Sequence, residues 1–169
     1  MTPVLRTERL LLDPYVPEDE EDFVALFTDV RVSQWMGDGP EPEEANRALF
    51  RRVFTNVYDT GAFDVWAVRE NGVLVGHAEI KPSKTTGGHE LIYALAHHAW
   101  GRGLGTELAR AICEYGFETL ELDEVHATIA EQNTASLAVM EKLGFAHVRD
   151  NPEDDGTVTK VLALKRPGA

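Results

Sequence analysis

The sequence predicts an α/β chain built around a mixed central sheet, and three observations carry that prediction. Seven short apolar runs read as strands and four longer runs carry the three- and four-residue spacing of amphipathic helices. Their order is strand, two helices, three strands, helix, strand, helix, two strands, which lacks the regular βαβ alternation of a doubly wound dinucleotide fold. A glycine-rich turn, Trp100-Gly101-Arg102-Gly103-Leu104-Gly105-Thr106, leads out of a strand and into a helix.

Residues 4–12 read as a first strand that ends on Leu10-Leu11-Leu12. Pro17-Glu18-Asp19-Glu20-Glu21 opens a helix, because proline suits the first turn and acidic residues suit the positive end of the helix dipole. Phe23, Val24, Leu26 and Phe27 supply its buried stripe. Glu41-Pro42-Glu43-Glu44 opens a second helix in the same way. Ala45, Leu49, Val53 and Val57 form its stripe, flanked by Phe50 and Phe54. Residues 63–69 alternate as a strand, Asn71-Gly72 signals a tight hairpin, and residues 73–81 return as the partner. Residues 82–88 are a loop. Residues 90–96 form the strand before the glycine turn, and residues 104–119 form the helix after it. A strand over 125–130 and a helix over 133–143 follow, the helix closed by Gly144 as a C-cap. Residues 145–149 and 157–164 make a final hairpin around a polar loop.

The chain has 169 residues, 43% of them hydrophobic and 27% charged, which is the composition of one globular domain over residues 1–169. No apolar run reaches the length of a membrane span, and no signal-peptide pattern opens the sequence, so a cytoplasmic location is expected. The formal net charge of −13 argues against nucleic-acid binding and favours cationic partners. An anionic ligand would therefore be held by local donors. The single cysteine, Cys113, excludes an internal disulfide. Its apolar neighbours mark it as a buried inert thiol. The histidines show no metal-ligand spacing, so no metal is expected.

The glycine turn supplies such donors. Glycines let a ligand approach the backbone, and the first amides of the following helix are unpaired, which together make a seat for a phosphate or diphosphate. The spacing fits neither the dinucleotide fingerprint nor a P-loop, which needs a Gly-Lys-Ser/Thr sequence.

With Glu107 after it, this turn resembles the acyl-CoA diphosphate loop of the GNAT N-acetyltransferase superfamily. A second stretch, Asn133-Thr134-Ala135-Ser136-Leu137-Ala138-Val139-Met140-Glu141-Lys142-Leu143-Gly144-Phe145, is similar to a segment of its ribosomal-protein (Rim-type) branch. Thr7-Glu8-Arg9-Leu10 resembles that branch's opening strand. The resemblance implies a mostly antiparallel sheet of about seven strands flanked by about four helices. It also implies a splayed strand pair that holds acetyl-CoA as acyl donor. Backbone amides of Arg102, Gly103, Leu104, Gly105 and Thr106 would hold the diphosphate. Main-chain groups of Leu95 and His97, with Asn133 across the cleft, would hold the pantetheine arm.

For catalysis the resemblance points to Ser136 as general acid toward the leaving thiolate. The superfamily's frequent tyrosine at this end is replaced by Met140, which has no proton to give. Glu90 is the candidate general base, acting through a water, with Glu79 beside His77 as the competing carboxylate. Ile92 and Ala94 depart from the branch's usual residues, so no ribosomal substrate is carried over. Trp35, Trp66 and Trp100 are expected as core or cleft wall. The segment Trp35-Met36-Gly37-Asp38-Gly39-Pro40 is expected to line the acceptor pocket. The expected acceptor is a peptide or small-molecule primary amine, attacked directly in a ternary complex, and a homodimer is expected by analogy with the fold. The rival reading is a non-catalytic acyl-CoA-binding sensor.

Overall fold

The computed structural model describes residues 1–37 and 39–168. Eight strands form one sheet in the order β1-β2-β3-β4-β5-β6-β8-β7. The expected first strand is two: β1 (Leu5–Arg6) and β2 (Leu11–Asp13) pair antiparallel, Leu5 opposite Leu12. The chain doubles back because Thr7 Oγ1 accepts from the Leu10 amide at 3.0 Å and the Thr7 amide donates to the Leu10 carbonyl at 2.9 Å. That split accounts for eight strands where seven were expected.

A 3₁₀ turn, Pro17–Asp19, leads into α1 (Glu20–Thr28), and a short α2 (Val30–Ser33) follows it. Helix α3 (Glu43–Arg52) continues into a π-helical segment, Val53–Tyr58. The buried stripe here is Asn46, Phe50, Val53 and Val57, and Leu49 is 41% exposed. A strict four-residue repeat drifts off one face of a 3.6-residue helix, whereas spacings of four, three and four hold it.

Strands β3 (Asp64–Glu70) and β4 (Val73–Pro82) join through Asn71 and Gly72, with φ of +51° and +79°, as a two-residue primed turn requires. Strand β5 (His89–Leu95) pairs antiparallel with β4. The glycine turn and α4 (Leu104–Glu118) lead to β6 (Glu124–Ala130), which lies parallel to β5. Helix α5 (Thr134–Leu143) ends at Gly144, φ +93°, and the hairpin of β7 (Ala146–Pro152) and β8 (Val158–Lys165) closes the chain.

Successive strand residues face opposite sides, and the core divides accordingly. Trp66, Val68, Ala78 and Ile80 pack with α4 and α5, through Leu108, Ile112 and Met140. Val65 and Ala67 pack on the other face with Phe23, Phe27 and Phe50. No helix among the described residues is long and apolar enough to cross a membrane.

Candidate active site

The turn at the end of β5 is built as the sequence suggests. Gly101 and Gly103 adopt φ of +76° and +78°, a region costly for residues with a Cβ. Gly103 is the N-cap of α4 and brings no side-chain acceptor to it, so the first-turn amides are left to face outward. The cations at this turn are already paired. Arg102 makes a two-pronged bond to Glu70 at 2.8 and 2.9 Å, and Arg9 binds Glu107 at 2.8 Å. Hydrogen bonds from Arg102 hold the Glu70 carboxyl below the usual carboxylate range. An anion here meets backbone donors more than free charge.

Strands β5 and β6 touch in register only at Glu90 and His126 and then part. The opening between them is the floor of a cleft of about 780 Å³. Glu90 and Tyr93 both line it, three residues apart, and so approach it from opposite faces of the sheet. The gap therefore passes through the sheet.

On the α5 side stand Asn133, Ser136 and Met140. Asn133 caps α5: its side-chain oxygen accepts from the Ser136 amide at 3.3 Å, which leaves its NH₂ group for another partner. Met140, 1% exposed, belongs to the core and also lines the cleft. Tyr93 was not anticipated. Burial of its phenol raises its pKa above the ordinary tyrosine value, and the neighbouring Ser136 hydroxyl offsets part of that rise. Its position in the strand that feeds the glycine turn, on the face shared with Leu91 and Leu95, was the available signal.

On the other side, Glu90 accepts a hydrogen bond from Thr128 Oγ1. Glu79 is not among the residues lining this cleft, although Lys81, which is, lies 3.6 Å from its carboxylate. It ends a buried chain in which Tyr15 Oη meets His77 Nδ1 at 2.7 Å and His77 Nε2 meets Glu79 at 2.8 Å. Burial pushes the Glu79 carboxyl up, but His77 and Lys81 together bring it below the usual range. His77 and Glu79 do share a face, as alternation predicts.

Leu95 and His97 mark the exit of β5. The Leu95 carbonyl accepts from Trp100 Nε1 at 2.8 Å, and the His97 carbonyl accepts from the Trp100 amide at 3.1 Å. Trp66 is wholly buried, as expected. Trp35 is 38% exposed and stands as cleft wall, whereas Trp100, 46% exposed, is neither in the core nor among the residues lining the cleft, which corrects its assignment. Trp35, Met36, Gly37 and Gly39 do line the cleft, and Asp38 lies outside the described residues. The acidic residues Glu153, Asp154 and Asp155, from the β7–β8 loop, also reach its rim and were not anticipated.

Cys113 is buried, and its thiol is pushed up to about 12, chiefly by burial. Among the described residues, no three His, Cys, Asp or Glu side chains are grouped to hold a metal ion.

Known proteins agree with this geometry. The acetyltransferase (GNAT) domain family matches residues 9–146. An uncharacterized N-acetyltransferase of Bacillus subtilis (strain 168), YoaA, is 26% identical over 179 residues, covering 99% of both chains. The crystal structure of an acetyltransferase from Agrobacterium tumefaciens superposes with a TM-score of 0.82 at 27% identity, covering 98% of this chain and 96% of that one. A ribosomal L7/L12 alpha-N-protein acetyltransferase in complex with coenzyme A shares the fold at a TM-score of 0.81 and 11% identity, covering 96% and 98%. By its strand order, its parting β5–β6 pair, its glycine turn and this match, the chain belongs to the GNAT family of acetyltransferases.

Proposed function

We propose that the protein moves the acetyl group of acetyl-CoA to the primary amine of a cationic acceptor, by direct attack in a ternary complex. One observation carries this reading. A single cleft, open through the sheet, has hydroxyl and amide groups on one side and a carboxylate with an acidic rim on the other. Arg102 to Thr106 seat the diphosphate by their amides, as helix N-termini do. Asn133 and the main chain at Leu95 and His97 hold the pantetheine arm. The amine nitrogen bonds to the thioester carbon while backbone donors of the parted strand steady the oxyanion. As the C–S bond breaks, the thiolate takes its proton from Ser136, with Tyr93 beside it. Glu90 receives the amine's proton through a water. No acyl-enzyme is needed, since the one thiol is buried and poorly ionised.

The acceptor side supports a cationic amine because Glu90, Glu131, Glu153, Asp154 and Asp155 line it against one lysine, Lys81. Peptide N-termini and small polyamines both meet this description. The test is calorimetry with acetyl-CoA, followed by release of free CoA on a panel of peptides, polyamines and neutral amines. Expected are saturable acetyl-CoA binding and turnover with cationic acceptors. Gly103→Glu, which adds strain and negative charge at the diphosphate seat, should weaken acetyl-CoA binding at least about tenfold. Tight binding with no turnover on any amine would instead make the protein an acyl-CoA sensor.

A further inference from the structure

The N-terminal motif Thr7-Glu8-Arg9-Leu10 takes no part in the cleft, yet the fold carries it to the glycine turn. The tip of the β1–β2 hairpin lies against the first turn of α4, and Glu107 is where they join. One oxygen of its carboxylate accepts from Thr7 Oγ1 at 2.6 Å and from the Arg9 amide at 2.9 Å. The other oxygen accepts from Arg9 Nε at 2.8 Å. From that anchor Arg9 Nη1 reaches on and donates to the carbonyl of Arg102 at 2.8 Å. Its other terminal nitrogen stands 3.6 Å from where a Cβ on Gly103 would lie.

The Arg102 carbonyl and the Gly103 N–H belong to one peptide unit. That unit is planar and trans, so the two groups point in opposite directions. Holding the carbonyl against Arg9 fixes the Gly103 N–H on the other side, at the mouth of the anion seat. Gly103, which has no Cβ, borders this unit on one side and lets it turn more freely than a unit between two substituted residues. Without a restraint its amide would wander between orientations, and only one of them serves an anion.

We infer that Arg9, anchored by Glu107 and Thr7, is a positioning residue that presets the Gly103 amide for the donor's diphosphate. The inference rests on the acyl-CoA reading of the glycine turn given above. It also explains why a motif 93 residues away in sequence belongs to this site.

Two donors separate positioning from simple folding. Acetyl-CoA carries the diphosphate, and acetyl-pantetheine carries the same thioester without it. Arg9→Gln should raise the Kd and KM for acetyl-CoA about tenfold, the effect of losing one charge-assisted hydrogen bond. The kcat at saturation and the KM for acetyl-pantetheine should stay within about twofold of wild type. Arg9→Lys should recover part of the loss, because an ammonium meets one partner and not both. Glu107→Gln, which weakens the anchor without touching Arg102, should shift acetyl-CoA in the same direction by less, and it carries the test should Arg9→Gln not fold. Equal losses with both donors, or unchanged acetyl-CoA affinity in a folded variant, would overturn the inference. Failure of the wild-type protein to bind acetyl-CoA would instead overturn the reading of the turn itself.

Discussion

At the scale of single residues, the proposed mechanism assigns its two proton transfers to groups on opposite sides of the cleft. Glu90→Gln should lower kcat about a hundredfold on a cationic amine while acetyl-CoA affinity is unchanged, since general-base catalysis contributes roughly that much. Ser136→Ala should lower kcat by less, because a thiolate is a good leaving group, and Cys113→Ser should leave the rate at wild type. Steady-state kinetics beside calorimetry would read all three. A wild-type rate for Glu90→Gln would remove it from the mechanism. The lining of the cleft was partly legible in the chain. Glu90, Ser136 and Asn133 all came from sequence and all line one cleft. Tyr93 did not, because a tyrosine in a strand looks the same whether it fills a core or a cleft. Glu79 looked equivalent to Glu90 because alternation gives a face, not a neighbour. Only the packed structure shows that Lys81 and His77, itself held by Tyr15, already engage it.

At the scale of elements, patterns of local chemistry were the reliable ones. Asn71-Gly72 made its hairpin, Gly144 its left-handed cap, and the glycine turn its helix start. One failure was long-range. The β1–β2 doubling depends on Thr7 and on Glu107 a hundred residues later, and no window of sequence contains both. The exposure of Leu49 was a local miss, since a strict four-residue spacing drifts off the face of a 3.6-residue helix. Packing also places a sharp demand on β4. A Cβ at Gly76 would stand 2.5 Å from the Ala94 carbonyl and 2.8 Å from the Leu95 side chain. Gly76→Ala should therefore cost about 1–3 kcal/mol of stability, the usual range for overpacking. It should also weaken acetyl-CoA binding, because the atoms it displaces belong to β5. Denaturant melts and calorimetry on the same preparation would show both effects, and a neutral substitution would mean that β5 yields more readily than its pairing suggests.

At the scale of the molecule, the charge of −13 and the acidic cleft rim act on how substrates arrive. A cationic acceptor is drawn in by a field that salt screens, so its kcat/KM should fall as ionic strength rises from 10 to 150 mM, roughly the range over which the Debye length shrinks from 30 to 8 Å. A neutral amine acceptor should show little change. A flat profile for a polyamine would mean that the rim takes no part in capture. Composition alone suggested this sign of partner, but not where the charges gather, because the β7–β8 loop reaches the cleft only through the sheet order.

The single point of register between β5 and β6 has a further consequence. The sheet consists of two slabs, β1 to β5 and β6 to β8, mortared by side chains across a thin seam. Any molecule wedged into that seam grips both slabs, so affinity doubles as cohesion. Each tenfold excess of ligand over its Kd adds about 1.4 kcal/mol of resistance to unfolding, and a simple thermal melt becomes an assay for whatever this seam was shaped to hold.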